Sequence, residues 1–91
     1  MTTLLVQHQV QDFNGWKQAF DGHAENRKSH GALGHRVVRD GISVTALIDF
    51  PDRNAAEEFV NDPALRDAMD RAGVQGPPSI SYNDDVESIS Y

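Results

Sequence analysis

The sequence predicts an α+β fold of the ferredoxin-like type, with one antiparallel four-stranded sheet and helices on one face. Two observations predict it. Strand-like and helix-like runs follow one another in the order β-α-β-β-α-β, which is the split βαβ arrangement. Asp40-Gly41 joins two strand-like runs, and this dipeptide is typical of a tight hairpin turn. A length of 91 residues fits one domain, residues 1–91.

The first strand is predicted over residues 3–10 and the first helix over residues 12–29. The strand TLLVQHQV is rich in apolar side chains, and its alternation places His8 on the same face as Leu4, Val6 and Val10. Asp12 is a suitable helix N-cap, and a helix stop is expected at Gly31.

One stripe of the first helix combines aromatic and polar side chains. At 100° per residue, His23 and Arg27 fall within an otherwise mainly apolar stripe. The other members of the stripe are Phe13, Trp16, Ala19, Phe20, Ala24 and His30. This stripe is expected to face the sheet, so His8 and the helix stripe should face each other across one space.

The remaining elements follow from hairpin, cap and proline signals. Strands are predicted at 33–40 and 43–50, and Pro51 ends the second of them. Asp52 caps a helix that runs to Asn61. A second helical segment begins at Asp62-Pro63 and ends at Gly73. Gly76-Pro77-Pro78 is expected to be a stiff linker into a last strand at 79–82, which could resume at 86–90.

The second face of the sheet is predicted to be covered by another copy of the chain. In residues 43–50, Leu47 points away from the four other apolar side chains, Val44, Ala46, Ile48 and Phe50. Because the helices cover only one side of this sheet, apolar side chains on the other side need a partner. We therefore expect a homodimer with two sheets packed face to face.

The composition argues against several classes of function. The chain has no cysteine, which excludes disulfides and thiolate zinc sites and suits a reducing, cytoplasmic location. No apolar run reaches the roughly 18 residues of a membrane span, and no signal-peptide pattern is present. The net charge of −6 is concentrated in residues 46–91, which carry three basic and ten acidic residues. Without a basic stripe, nucleic-acid binding is not expected.

Three motifs carry a resemblance to a known group of proteins. They are W-x-x-x-F on the first helix, F-P-D-x-x-x-A-x-x-F after the third strand and D-P-x-L-R-x-A-M at the second helical segment. The chain resembles small bacterial proteins of the dimeric α+β barrel superfamily, particularly antibiotic-biosynthesis-monooxygenase-like and polyketide-cyclase-like members. The resemblance implies a pocket between sheet and helices. It also implies roles that range from cofactor-free oxidation of anthrone-type polyketides to ring closure or haem binding, without assigning a catalytic position.

His8, His23 and Arg27 are the candidate catalytic residues. His8 is either a neutral core histidine bonded to the backbone or a pocket base whose pKa near 6.5 suits proton abstraction. His23 and Arg27 lie one helical turn apart. One such side chain could extend to solvent at an edge, but two beside Trp16 point to a polar cavity.

Four further residues are candidate ligand contacts: Trp16, Phe20, His35 and Tyr82. His35 alternates with Val37, and it is either a pocket residue or an exposed or interface histidine. Tyr82 either orients a ligand through its hydroxyl or is an ordinary strand tyrosine. His30 lies at the helix end, where a cation favours the helix dipole, and is interpreted as structural.

Other site chemistries find little support in the sequence. A metal site would need His8, His23 and His35 to converge, and no H-E-x-x-H spacing supports one. A haem needs a larger apolar cavity than so short a chain readily provides. Nucleophilic catalysis lacks both a cysteine and a G-x-S-x-G turn. No cofactor and no metal are therefore expected.

The sequence thus leaves two hypotheses of different kinds. The first is a cofactor-independent monooxygenase- or cyclase-type enzyme that abstracts a proton from an aromatic or polyketide-like compound, with Arg27 stabilising the anion. The alternative is a non-catalytic small-molecule-binding or structural homodimer. A solvent-connected cavity of roughly 300 Å³ or more around His8, His23 and Arg27 would favour the enzyme, and tight packing of that region would contradict it.

Overall fold

A computed structural model describes all 91 residues, which form one four-stranded antiparallel sheet with helices on one face. The strands are β1 (Thr2–Val10), β2 (Gly34–Asp40), β3 (Ser43–Phe50) and β4 (Val74–Asp84). The helices are α1 (Phe13–Gly22), α2 (Ala24–Ser29), α3 (Arg53–Asn61) and α4 (Pro63–Arg71). The strand order is β2-β3-β1-β4, so the predicted ferredoxin-like fold is confirmed. None of the four helices is long and apolar enough to cross a membrane.

The core lies between the two central strands and the helices. Alternate residues of β1 and β3 are buried against the helices, and the register places His8 opposite Val44 and Val6 opposite Ala46. Phe50 and Phe59 join this core from β3 and α3, with ring centroids 5.5 Å apart. Burying one such side chain contributes about 1.5–3 kcal/mol to stability, so the helix-facing side of the sheet accounts for most of the apolar stabilisation.

Three aspartates fix the starts of helices, as the sequence predicts. Asp12 accepts a hydrogen bond from the Gly15 backbone N–H at 2.9 Å. Asp52 accepts one from the Ala55 backbone N–H at 2.8 Å. Asp62 accepts from the Ala64 N–H at 2.9 Å. Each bond satisfies an amide that the first helical turn leaves free, and each contributes about 1 kcal/mol in typical helices.

The prediction of one helix over residues 12–29 is wrong, because the chain breaks between α1 and α2 at His23. In a continuous helix the Phe20 carbonyl would accept the amide of Ala24. Here the Phe20 carbonyl accepts one hydrogen bond from the His23 N–H at 3.2 Å and another from the Arg27 guanidinium at 2.7 Å. Gly22 weakens the helix at the same point. The break turns His23 and Arg27 toward the space between the helices and the sheet.

The prediction of a linker at Gly76-Pro77-Pro78 is also wrong, since β4 runs without interruption from Val74 to Asp84. The positive φ of Gly76, 74°, accompanies a shift in register against β1 between Gln7 and Gln9. Prolines fit here because β4 is an edge strand and needs no ladder bond on its free side. Residues 86–90 form no strand, contrary to the expected resumption.

The outer face of the sheet is mostly polar, with a small apolar centre. Leu5 and Leu47 are register partners on this face, and Val38 lies on the neighbouring strand β2. Threonine, glutamine and serine side chains occupy much of the rest of β1, β3 and β4 on this side. Val38 is 42% exposed, and no helix covers this face.

Candidate functional site

A cavity of about 50 Å³ lies between the sheet and all four helices. Five of the seven predicted site residues line it: His8, Trp16, Phe20, His23 and Arg27. The sheet contributes its floor, and α4 closes one side with Leu65, Ala68 and Met69. We call this space the inner cavity. The expectation that β1 and the stripe of the first helix face each other across one space is therefore met.

The inner cavity is small. Its volume has room for only a few water-sized molecules, at about 10–15 Å³ of such volume for each one. The volume is about a third of the roughly 150 Å³ of an engineered apolar cavity that binds benzene. The size expected for an enzyme pocket, roughly 300 Å³ or more, is not reached in this conformation. An aromatic ligand can enter only after the walls move.

His8 is buried without any hydrogen-bond partner. Its side chain is 7% exposed, and neither Nδ1 nor Nε2 contacts a donor or acceptor. Leaving a polar group unpaired in this way costs about 1–3 kcal/mol, so such groups usually bind water or a ligand. Burial also lowers the pKa of His8, which keeps the ring neutral near pH 7. His8 is thus not the backbone-bonded core histidine that the alternative interpretation required.

Trp16 and Phe20 form an aromatic side of the inner cavity next to His8. They lie one helical turn apart on α1, with their rings stacked at 4.9 Å and inclined by 23°. The His8 ring meets the Trp16 edge at a centroid distance of 5.6 Å. These contacts form one wall of apolar and aromatic atoms, which excludes water from the neighbourhood of His8.

Arg27 places a buried positive charge beside this wall. Its side chain is 4% exposed, its Nη1 donates to the Phe20 carbonyl, and its guanidinium carbon lies 3.8 Å from the Phe20 ring centroid. None of the ion pairs in the structure includes Arg27, and the nearby Asp21 is held by Lys17 at 2.6 Å. Burial lowers the pKa of Arg27, but a guanidinium stays charged at neutral pH. The cavity lining therefore has a cation and no carboxylate.

His23 sits at the break between α1 and α2 and lines the same cavity. Its side chain is half-buried. Burial and then the Arg27 charge lower the pKa of His23, so this ring is also neutral near pH 7. The site consequently holds two neutral imidazoles and one guanidinium.

His35 and Tyr82 do not line the inner cavity. His35 is exposed on β2 and meets the Phe20 ring edge to face, with centroids 5.0 Å apart. Burial, followed by the charge of Arg27, lowers the pKa of His35. Tyr82 lies on the edge strand β4, with the Arg53 guanidinium 4.9 Å from its ring centroid. His35 therefore remains adjacent to the site, whereas Tyr82 packs against the hydrophobic core away from the inner cavity.

The sequence did not reveal the junction between α2 and α4. The Nε2 of His30 lies 2.8 Å from an Asp62 carboxylate oxygen, and Asn26 donates to the same oxygen at 3.2 Å. The pKa of Asp62 is lowered to about 2, and the hydrogen bond with His30 is the largest cause. This cluster holds the start of α4 against α2 beside the cavity, which gives the structural role expected for His30. No group of three or more His, Asp or Glu side chains is placed to hold a metal ion.

Comparison with known proteins identifies the fold but not the reaction. No protein-family model matches the sequence, and no curated protein matches it. The structure is similar to SnoaB, a cofactor-independent oxygenase from Streptomyces nogalater, with a TM-score of 0.79 and 11% identity over 99% of this chain and 97% of that one. It is similar to Rv0793 from Mycobacterium tuberculosis, with a TM-score of 0.71 and 10% identity over 98% of both chains.

A protein from Caulobacter crescentus with the provisional description antibiotic biosynthesis monooxygenase gives a TM-score of 0.73 and 19% identity. The alignment covers 94% of this chain and 90% of that one. The chain therefore has the fold of the antibiotic-biosynthesis-monooxygenase-like proteins, and the predicted resemblance is confirmed at the level of fold. At these identities a shared fold does not establish a shared reaction.

Proposed function

We propose that this protein is a cofactor-independent oxygenase-type enzyme that uses His8 to remove a proton from an aromatic, polyketide-like substrate. The observation that carries the proposal is the buried, unpartnered imidazole of His8 beside a cavity that also contains Arg27. A fold needs no such group for stability, because an apolar side chain of similar size would avoid the cost of burying unpaired nitrogens. The structural similarity to a cofactor-independent oxygenase gives further support.

The environment of His8 suits a general base. Its lowered pKa leaves the imidazole neutral near pH 7, ready to accept a proton. Loss of a proton from an anthrone-type CH₂ group leaves negative charge on the adjacent carbonyl oxygen. Arg27 is the only cation in the cavity lining, and its charge has no carboxylate partner there. It can therefore stabilise the enolate or phenolate, and the low polarity of the wall strengthens that interaction.

The proposed oxidation needs only dioxygen as a second reactant. The carbanion transfers one electron to O₂, and the resulting carbon radical combines with superoxide to give a peroxide anion. The proton on His8 returns to this peroxide. Loss of the second C–H proton with cleavage of the O–O bond then releases water and leaves a carbonyl. In total, CH₂ and O₂ become C=O and H₂O, and the imidazole ends neutral as it began.

The non-catalytic homodimer remains the second candidate, and the small volume of the inner cavity favours it. The two candidates differ in turnover. An anthrone incubated with the enzyme in ¹⁸O₂ should consume oxygen faster than in buffer alone, and one ¹⁸O should appear in the product carbonyl. Binding without oxygen uptake would support the non-catalytic candidate. Formation of a ring-closed product from a β-polyketone, without oxygen uptake, would support the cyclase instead.

We also propose that two copies pair through the outer face of the sheet. The partnered Leu5 and Leu47, with the exposed Val38, form an apolar centre on a face that no helix covers. A second sheet of the same kind would bury this centre in a two-fold contact. The experiment is a measurement of molar mass by light scattering at micromolar concentration.

A further inference from the structure

Two side chains of α4 separate the inner cavity from a second, larger space. A groove of about 340 Å³ runs between α4 and β4, and we call it the outer groove. Its apolar lining consists of Val60, Leu65, Met69, Val74, Pro77, Pro78 and Ile80, and Arg66 and Asp70 stand at its polar side. Leu65 and Met69 are the only residues that line both spaces. Both side chains therefore border both spaces, and we call this pair the wall.

This wall is only partly buried. Leu65 and Met69 lie one helical turn apart, and α4 is a helix in which no residue is fully buried. Helices with few buried apolar groups are the ones that move most readily in a folded protein. Met69 is unbranched and can change rotamer at low cost, so it can leave the wall without unfolding the helix.

The inner cavity alone is too small for the substrate that the proposed function requires. The groove and the cavity joined together fall in the range of about 300–1,000 Å³ that is usual for small-molecule sites. In this structure both ring nitrogens of His8 are also shielded from solvent, so no proton donor can reach them. Movement of the wall would enlarge the space for the substrate and would also give the substrate access to the His8 nitrogens.

We propose that the outer groove is a second part of the substrate site and that Met69 is the residue that opens it. This inference rests on the proposed function. The substrate it describes is an elongated, apolar compound of about three fused rings. Its reacting carbon lies in the inner cavity beside His8, and its distal ring lies between α4 and β4, against Pro77 and Ile80. Polar substituents of that ring would meet Arg66 and Asp70, which lie at the polar side of the groove.

The chain offers a direct optical test. Trp16 is its single tryptophan and lines the inner cavity, so quenching of its fluorescence reports a ligand in that space. The probes are phenol, with one ring, and 1,8-dihydroxyanthraquinone, which has three rings and is not oxidised further in this reaction. The variants are Met69→Ala, which removes the wall, and Met69→Phe, which replaces it with a larger and stiffer side chain. Asp67→Ala, on the exposed side of α4, is the matched control.

We expect Met69→Ala to bind the three-ring probe about tenfold more tightly than wild type, and Met69→Phe about tenfold more weakly. Phenol binding should change in the same direction but by less than the binding of the three-ring probe, because one ring needs less of the joined space, and Asp67→Ala should resemble wild type with both probes. Circular dichroism and urea unfolding establish that each variant is folded. Equal responses of both probes, three-ring affinity independent of Met69, or no binding of the three-ring probe to wild type would each overturn the inference.

The binding test separates this inference from the proposed function. If the three-ring probe binds in a Met69-dependent way but no anthrone is oxidised, the two-part site stands and the oxygenase proposal fails. If an anthrone is oxidised at a rate that does not depend on Met69, the oxygenase proposal stands and the two-part site fails.

Discussion

His8 and Trp16 meet edge to face, with ring centroids 5.6 Å apart and ring planes inclined by 62°. The contact joins β1 to α1 and holds the imidazole in an apolar wall. It does so without giving either ring nitrogen a hydrogen-bond partner. The position is therefore well suited to packing but poorly suited to a polar group, which is the pattern expected when a residue is retained for its chemistry.

Replacing His8 by leucine should stabilise the protein while abolishing activity. Leucine has a similar volume, and it removes the cost of burying two unpaired nitrogens, about 1–3 kcal/mol. Urea unfolding at pH 7.5 should show a higher midpoint for His8→Leu than for wild type. Val6→Ala, which makes a hole in the same strand, should unfold at lower urea and serves as the control. A lower midpoint for His8→Leu would mean that His8 forms a stabilising bond, for example to a buried water.

The stability of the wild-type protein should fall as the pH drops below about 6.5. Burial lowers the pKa values of His8, His23 and His35 in the folded state. Between each lowered pKa and 6.5 the unfolded chain binds more protons than the folded one, so the free energy of unfolding rises with pH. The urea midpoint should be lower at pH 5 than at pH 7.5, and His8→Leu should reduce this difference. A higher midpoint at pH 5 would contradict the assignment.

Removing the charge of Arg27 should reduce turnover much more than stability. Arg27→Met keeps most of the side-chain volume but removes the cation, and loss of one such stabilising group typically lowers kcat by about 10²–10³-fold. Removing a guanidinium that is buried without a carboxylate relieves a desolvation cost, which offsets the lost bond to the Phe20 carbonyl, so the change in folding free energy should be small. Steady-state oxygen uptake gives kcat, and Lys17→Met, which removes an exposed charge of α1, is the control. Equal kcat for Arg27→Met and wild type would remove Arg27 from the mechanism.

Asp62 should affect stability through two separable contacts. Asparagine can still cap α4 by accepting from the Ala64 N–H, but it loses the charge that faces His30. Alanine loses both. At pH 6 we expect urea midpoints to decrease in the order wild type, Asp62→Asn, Asp62→Ala. Because the pKa of Asp62 is about 2, its contribution should persist down to about pH 4 and disappear on further acidification. Identical midpoints for the two variants would show that the cap contributes nothing.

A charge at the centre of the outer face should separate the proposed dimer. Leu47 is paired with Leu5 on this face, and glutamate at position 47 would be buried against its own copy in a two-fold contact. Light scattering should give a dimer mass for wild type and a monomer mass for Leu47→Glu. Ser81→Glu, nearer the sheet edge, should have a smaller effect. A monomeric wild type at micromolar concentration would contradict this interface.

Much of the fold could be predicted because local signals and tertiary packing agree. The bounds of β3 are those predicted, and Asp12, Asp52 and Asp62 cap helices as their positions suggest. Two of the errors arise where a distant or unpaired group decides the structure. The Arg27 guanidinium takes the Phe20 carbonyl and ends α1, which no helical periodicity reveals. β4 continues through its prolines because it lies at the edge of the sheet, and strand order is a tertiary property.

Five of the residues that line the inner cavity could be predicted from the sequence, but the shape of the cavity could not. Two periodicities, one in β1 and one in the first helix, were enough to bring His8 and Arg27 to one cavity. The volume of that cavity depends on how neighbouring side chains pack, and sequence patterns do not encode it. The roles of Leu65 and Met69 as a wall could not be predicted for the same reason, although both belong to the apolar stripe expected for α4.

In the proposed reaction, His8 removes the substrate proton. The most direct test compares the oxygen uptake of wild type and His8→Leu with the same anthrone, after both are shown to be folded by circular dichroism. We expect that wild type consumes one O₂ for each carbonyl formed and that His8→Leu falls to the rate of buffer alone. Equal rates of oxygen uptake for the two proteins would contradict it.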